Sequence, residues 1–309
     1  MSASIITPTK LTDAMVVSST VPETDFPVWT AGTFAVGDKR IMTTGIHRIY
    51  QCQTAHTSTD STGAPNLNIT GTPPKWLNIA PTNKWAMFDE KIGTISTLAS
   101  PLTVVINPGP VSGLALLELT GRTAEISLKD QTDGTVVYSR TVDLDGTIVT
   151  SFFDWFFAEF AQQTDLTLTD LPSQFFNGEL TISVTSTAGN VACGVAHVGK
   201  VSTLGETQMG ATIGIISYSV KQTDAFGNLT IIKRQNSKRA SWKLMIEKSE
   251  LSRIFRLLAS MESVLCVYSA TTEPGYEPLI LYGFFRDFNI DITYPTYVLT
   301  SLEIEGLAQ

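Results

Sequence analysis

Short segments in which apolar and polar residues alternate recur along this chain, with turn-forming residues between them. The last such segment places Val298, Thr300, Leu302 and Ile304 on one side of an extended chain. Successive side chains of a strand point to opposite faces, so a period of two residues predicts half-buried strands. The predicted strands are Phe34–Val36, His47–Cys52, Leu114–Leu119, Ala124–Lys129, Val136–Val142, Glu179–Thr185, Val191–Val198, Gly214–Gln222, Leu229–Arg234, Ala240–Ile246, Leu265–Ser269, Leu279–Ile292 and Tyr297–Glu305.

Composition divides the chain into four parts. Residues 1–25 are rich in Ser, Thr and Pro, which predicts an extended arm that would be disordered in a monomer. Residues 26–92 carry spaced aromatic residues and predict a small β unit. Residues 93–210 predict a β-sandwich, either as a separate domain or as an insertion, and residues 211–309 predict a C-terminal β domain with one helix. The predicted fold class is therefore mainly β, with several domains.

Two helices interrupt the strands. The first is predicted over Phe152–Gln162, with Ser151 as N-cap and Asp154 completing a capping box. Its apolar residues nearly encircle it, so we expect it to be covered on most sides. The second is predicted over about Glu250–Ser263, with Ser249 as cap and a single apolar stripe. We also expect the segments Glu179–Thr185 and Val191–Val198 to pair as a hairpin.

The chain carries unusually little charge. Charged residues make up 16% of it, against an average of about 25%. Apolar surface must therefore be hidden, either in a large core or between subunits. No apolar run reaches the roughly 18 residues of a spanning helix. Met1–Lys10 lacks a basic region followed by an apolar core, so we expect no signal peptide and synthesis in a cytoplasm.

Basic residues concentrate in one stretch of an otherwise acidic chain. Between Lys233 and Arg256 the charge is +6, whereas the whole chain carries −8. The acidic remainder argues against a general nucleic-acid binder. The stretch is either a solvated face or half of a charge-complementary contact between subunits. For the contact, the candidate residues are Lys233, Arg234, Lys238 and Arg239.

No pattern of catalysis or metal binding stands out. The three histidines, His47, His56 and His197, show no metal-ligand spacing, and no nucleophile elbow or phosphate-binding loop is present. The three cysteines are odd in number and widely spaced, which predicts buried free thiols. We therefore expect a protein that is not an enzyme and has no cofactor and no metal site.

Aromatic residues give the one constellation with binding potential. Trp29, Tyr50 and Trp76 lie in the small unit among glycines and the pair Pro73–Pro74. Flat aromatic faces can stack on sugar rings, and these residues are the candidates for such a platform. The alternative is that the three rings form the core of a small domain.

This unit resembles the small chitin-binding type of carbohydrate-binding module. The resemblance covers roughly residues 26–80 and is carried by Trp29–Phe34, Val36–Asp38, His47–Cys52 and Pro73–Trp76. That family shows a Trp, a Gly-Asp turn, a Tyr-centred strand and a closing Trp. The resemblance implies that Trp29, Tyr50 and Trp76 occupy its aromatic positions.

Two further regions resemble structural proteins of tailed bacteriophages. The segment Ala80–Asp89 is similar to a string found in virion proteins, and Pro278–Asp291 with Leu302–Leu307 resembles the closing strands of tail-tip and baseplate subunits. The resemblance implies a non-enzymatic ring or trimer around the tail channel, assembled in the host cytoplasm with other tail proteins.

Three hypotheses follow from these patterns. The leading one is a homo-oligomeric tail-tip or baseplate subunit that presents a sugar-binding module. The second is an adhesive, receptor-binding protein that holds host surface glycans through the aromatic unit. The third is a polysaccharide-degrading enzyme with a binding module.

Overall fold

Strands dominate the structure, as the alternating pattern predicts. The computed structural model describes residues 2–147, 151–157, 161–223, 226–271, 276–292 and 294–308. Half of the residues lie in strands and 11% are helical, in several sheets, which confirms a mainly β protein with several domains. The strands are β1 Ser2–Pro8, β2 Val16–Ser19, β3 Gly32–Phe34, β4 Lys39–Met42, β5 Arg48–Cys52, β6 His56–Ser58, β7 Trp76–Pro81, β8 Ser96–Ala99, β9 Leu102–Ile106, β10 Gly113–Leu117, β11 Thr123–Lys129, β12 Val136–Asp143, β13 Leu166–Leu168, β14 Glu179–Thr185, β15 Asn190–Cys193, β16 Val195–Thr207, β17 Thr212–Ser217, β18 Val220–Thr223, β19 Leu229–Ile232, β20 Asn236–Glu247, β21 Cys266–Ser269, β22 Ile280–Asp291 and β23 Tyr297–Ala308.

Helices are few among the described residues. The α-helices are α1 Phe152–Phe157 and α2 Lys248–Ser260, and single turns of 3-10 helix follow several strands. In the described part of the chain, no helix is both long and apolar enough to cross a membrane.

Six antiparallel strands close into a barrel. They follow the order β16, β1, β21, β22, β23 and β20, and β20 returns to β16 through the pairs Glu206–Met245 and Thr207–Leu244. The strands turn one face toward a common core that includes Ile5, Trp242 and Tyr268, all buried. Helix α2 packs onto this core, which its apolar stripe predicts.

A sandwich adjoins the barrel. Its main sheet runs in the order β12, β11, β14, β9 and β2. Ile126 and Ile182 from this sheet share one apolar core with Leu114 and Leu116 of β10. Strand β10 also pairs with β16. The long strand β16 therefore connects the sandwich to the barrel.

A small module completes the fold. Its sheets are β3 with β6 and β4 with β5 and β7. Its core consists of Phe34, Tyr50, Cys52 and Trp76, and the rings of Phe34 and Trp76 meet edge to face at 5.0 Å. The aromatic residues therefore supply most of the interior of this unit.

The prediction of a disordered N-terminal arm is wrong. Strand β1 lies between β16 and β21 in the barrel, where Ile5 pairs with Ser202 on one side and Tyr268 on the other. Strand β2 extends the sandwich sheet along β9. The first residues therefore join two domains. Their Ser and Thr content hides this role, because Ile5 and Ile6 alone supply the large buried side chains of β1.

The predicted hairpin between Glu179–Thr185 and Val191–Val198 is also wrong. Strand β14 already has β9 and β11 on its two edges, which leaves no edge for the following strand. The second segment instead divides at Gly194 into β15, which pairs with β8, and β16.

Both helix predictions need correction at their ends. Helix α2 begins after Glu247 rather than at a Ser249 cap, and no side chain caps it. Helix α1 covers Phe152–Phe157 of the predicted span, and Gln162 instead lies in an isolated β-bridge. The side chain of Asp154, on which the capping box depends, lies outside the described residues. Coverage of α1 on most sides is contradicted, since its rings are exposed.

Candidate functional site

An apolar β extension projects from the C-terminal domain. It consists of β17, the hairpin of β18 and β19, the described residues between them, and Lys233 and Arg234 directly after β19. Strand β17 pairs with β20, and β18 pairs with β19 from Val220–Ile232 to Thr223–Leu229. Large apolar residues of this extension lie in water: Ile215 is 75% exposed and Phe226 92% exposed, and Ile213, Leu229 and Ile231 are exposed as well.

The extension also leaves a strand edge unpaired. Within the described residues β17 pairs with β20 alone and ends the nine-stranded sheet. An edge strand presents a row of unpaired N–H and C=O groups, and a long apolar edge is a template for pairing with another chain. Exposed apolar side chains and an unpaired edge therefore coincide on one element.

The predicted basic contact divides into two halves. Lys238 forms an ion pair with Asp165 at 3.7 Å, and Arg239 forms one with Glu303 at 2.8 Å. These two cations are neutralised within the chain. Lys233 and Arg234 follow β19, are exposed and form no ion pair with any other described residue. The candidate contact thus reduces to Lys233 and Arg234, which lie on the extension.

The three predicted sugar-stacking residues lie together, but as core. Tyr50 and Trp76 are buried, and Trp29 is partly buried against them. A buried ring face cannot stack on a sugar, so the burial of Tyr50 and Trp76 contradicts a platform built on these rings. Of the two alternatives given by the sequence, the structure supports the core of a small domain.

A charged cluster joins the small module to the rest of the chain. The ring of His47 contacts Asp13 Oδ1 through Nε2 and Glu23 Oε1 through Nδ1, both at 2.8 Å. It stacks on Trp85 with ring centroids 4.2 Å apart. Thr82 donates its hydroxyl hydrogen to Glu23. Both ring nitrogens of His47 therefore face a carboxylate oxygen, and the ring links two acidic residues from separate segments.

The histidines are all engaged in structural contacts. Both ring nitrogens of His47 face carboxylates, so no hydroxyl or thiol is placed against them as a triad requires. His197 is buried against the backbone oxygen of Ile6, and burial lowers its pKa to about 4. Cys52 lies near His56, but burial raises the pKa of this thiol, which disfavours the thiolate that a nucleophile requires. In the residues that the structure describes, no group of three or more His, Cys, Asp or Glu could hold a metal ion.

A cleft of about 750 Å³ opens beside the charged cluster. Its lining includes Lys10, Arg48, Trp85, Asp89 and Tyr282, contributed by the N-terminal segment, the small module and the barrel. The volume is typical of a small-molecule site. The mixture of cations and carboxylates favours no single class of ligand.

Lowering the pH should weaken the charged cluster through Asp13. Burial raises the pKa of Asp13, but the Gly45 N–H and the His47 ring outweigh this and hold it below the ordinary value of 3.8. A lowered pKa adds stability above 3.8 that is lost as the pH falls through the folded-state value. Between pH 5 and 3, the urea midpoint of Asp13→Asn should therefore fall less than that of the wild type. The control is Asp133→Asn, an exposed turn residue, and equal pH slopes in all three proteins would contradict a role for Asp13.

Two comparisons, with protein families and with curated proteins, bear on the identity of this chain. No protein-family model matches this chain, and a search of curated proteins found no match.

The sequence predicted strands in the extension, over Gly214–Gln222 and Leu229–Arg234, but not that their apolar side chains are exposed. Ile213 and Ile215 alternate with other residues as core-facing strand residues do, so the pattern indicates a strand but not its exposure. No sequence signal marks the exposure, because the segments on either side of Phe226-Gly227-Asn228 have a strand pattern whether or not other residues cover them. The cluster of Asp13, Glu23 and His47 has no sequence signal, because its members come from three separate segments.

Proposed function

We propose that this protein is a non-enzymatic structural subunit of a tailed-bacteriophage tail tip or baseplate, which assembles with copies of itself and with other tail proteins in the virion. The resemblance of Ala80–Asp89 and of the closing strands to such proteins supports the virion assignment. The observation that carries the structural role is the β extension. Its apolar residues and unpaired edge are unfavourable in a monomer and become buried in an assembly.

Charge on the extension supports the same role. Lys233 and Arg234 are exposed beside the apolar residues, while the chain as a whole carries −8. A basic rim beside an apolar centre suits a contact with the acidic surface of a second copy. The alternative of an adhesin that holds glycans loses its proposed residues, because Tyr50 and Trp76 are core.

The test is the mass of the protein in solution. We expect wild-type protein to form oligomers whose mass, measured by light scattering, rises with concentration and falls with added salt. The double variant Ile215→Asp/Ile231→Asp should be a monomer, because each carboxylate would have to be desolvated in the contact. Its thermal midpoint should stay within about 2 °C of the wild type, since exposed substitutions change stability by about 0.5 kcal/mol or less.

The matched control changes equally apolar, exposed residues elsewhere. Val36 and Leu67 lie on the small module, and Val36→Asp/Leu67→Asp should keep the wild-type mass. A wild-type protein that remains monomeric at every concentration, or a double variant of the extension that keeps the wild-type mass, would contradict the proposal.

A further inference from the structure

Helix α1 sits at the tip of a pinned loop. The loop leaves β12 and returns to β13, and its two ends are joined by the bridge between Asp145 and Gln162. The Gly146 N–H also donates to the Ala161 oxygen at 2.8 Å. These contacts form a neck that joins the two ends of the loop.

The aromatic rings of α1 are turned to water. Phe152, Phe153, Trp155, Phe156 and Phe157 are each 65–82% exposed. Their ring contacts are with one another: Phe152 meets Phe156 at 5.2 Å and Phe153 meets Phe157 at 4.7 Å. Spaced at about 100° per residue, these side chains span roughly 200° of the helix circumference.

This exposure exceeds what a lone protein surface normally carries. A buried aromatic side chain covers about 150–250 Å², so the five rings expose on the order of 700 Å². The largest apolar patch on a typical monomer is about 300–600 Å² and often marks a binding site. We therefore expect another molecular surface to cover the rings of α1.

A second copy of α1 is too small to provide that surface. A stable interface removes about 800 Å² from each partner. A helix of six residues is about 9 Å long, and a straight partner helix covers only one side of it. About half of the aromatic surface would stay in water, which leaves such a dimer well below the required area. A fluid apolar medium can instead enclose the rings from every direction that the tip presents.

The charges around the neck favour a lipid surface without net negative charge. Asp143 and Asp145 lie at the base of the loop, and the Thr147 hydroxyl and N–H lower the pKa of Asp145, which keeps it ionised. With a chain charge of −8, an anionic surface would be repelled. Trp is enriched at the membrane–water interface, and Trp and Phe form the apolar face of helices that lie at the boundary between headgroups and acyl chains.

We propose that α1 is a membrane-surface anchor that inserts its aromatic rings into the interfacial layer of a zwitterionic lipid bilayer. A six-residue helix, about 9 Å long, is comparable in size to the 5–10 Å depth at which interfacial helices lie. The proposal does not depend on the assembly contact of the extension, because the two surfaces lie on different domains.

The experiment is flotation of the full chain with phosphatidylcholine vesicles. We expect wild-type protein to float with the vesicles, and Phe153→Ser/Phe157→Ser to lose about tenfold or more in partition coefficient. Binding should resist added salt and weaken when phosphatidylglycerol replaces part of the lipid. The fluorescence of wild-type protein should shift to the blue on binding, and Trp155→Phe should float while losing that shift.

Two controls separate the alternatives. Phe226→Ser removes an equally exposed ring from the extension and should float like the wild type. Circular dichroism should show the same unfolding midpoint for all variants, since the substituted rings are exposed. Wild-type protein that stays at the bottom of the gradient at every phosphatidylcholine concentration would overturn the proposal. So would a change of mass in Phe153→Ser/Phe157→Ser without vesicles, which would assign the rings to a second copy.

Discussion

Replacing Ile5 by Asp should abolish cooperative folding of the barrel. Ile5 is fully buried between β16 and β21, so its replacement places a carboxylate in the apolar core with Trp242 and Tyr268. An uncompensated buried charge costs about 3–5 kcal/mol or more. That loss is comparable to the whole stability of many domains, about 5–15 kcal/mol.

The matched control for this substitution is Ser2→Asp. Ser2 belongs to the same strand and is exposed, so the same charge there should change stability by about 0.5 kcal/mol or less. Urea unfolding followed by circular dichroism measures both. If Ile5→Asp unfolded at the wild-type midpoint, β1 would not be part of the barrel, and the chain would indeed begin with a loose arm.

Gly283→Ala should cost about 3 kcal/mol of unfolding free energy. Gly283 lies in β22 where β21 and β23 flank it on both sides, opposite Cys266 and Gly306. An added Cβ would lie 2.1 Å from the Glu305 backbone oxygen. That neighbour is backbone of a paired strand, so the strands must separate locally, with a cost typical of overpacked cores.

Gly214→Ala supplies the comparison within another strand. A Cβ at Gly214 meets nothing within 4 Å, so alanine there should leave stability almost unchanged. Urea midpoints of the two variants would settle the matter, and equal midpoints would mean that β22 and β23 do not approach each other as closely as described.

Local pattern was sufficient to predict many strands but not their partners. Strand β14 spans the predicted residues, and β11 and β12 differ from prediction by one residue each. Alternation and turns are local, so a short window contains the signal. Pairing is not local, because β1 pairs with residues about 200 positions away. The residues around Ile5 carry no information about which distant strand they pair with.

The structure shows which aromatic residues are buried and which are exposed, and the sequence alone does not. Trp76 and Trp155 are the same residue type, yet one fills the centre of a module and the other projects from a loop tip. Composition indicated that apolar surface had to be hidden. It did not indicate which apolar segments are enclosed by this chain and which are left for an occupant, because that depends on the pairing of distant strands.

Strand β1 cannot take its place in the barrel until much of the chain has been synthesised. Its two neighbours, β16 and β21, come from the second half of the chain, and the pairs with β21 reach Ser269. At about 5–20 residues per second, a ribosome needs roughly 13–50 s to supply those partners after Ile5 is made. During that interval the first strand has no barrel to join, whereas the small module can fold from neighbouring segments. The residues of β1 are therefore synthesised first but are among the last to reach their final position.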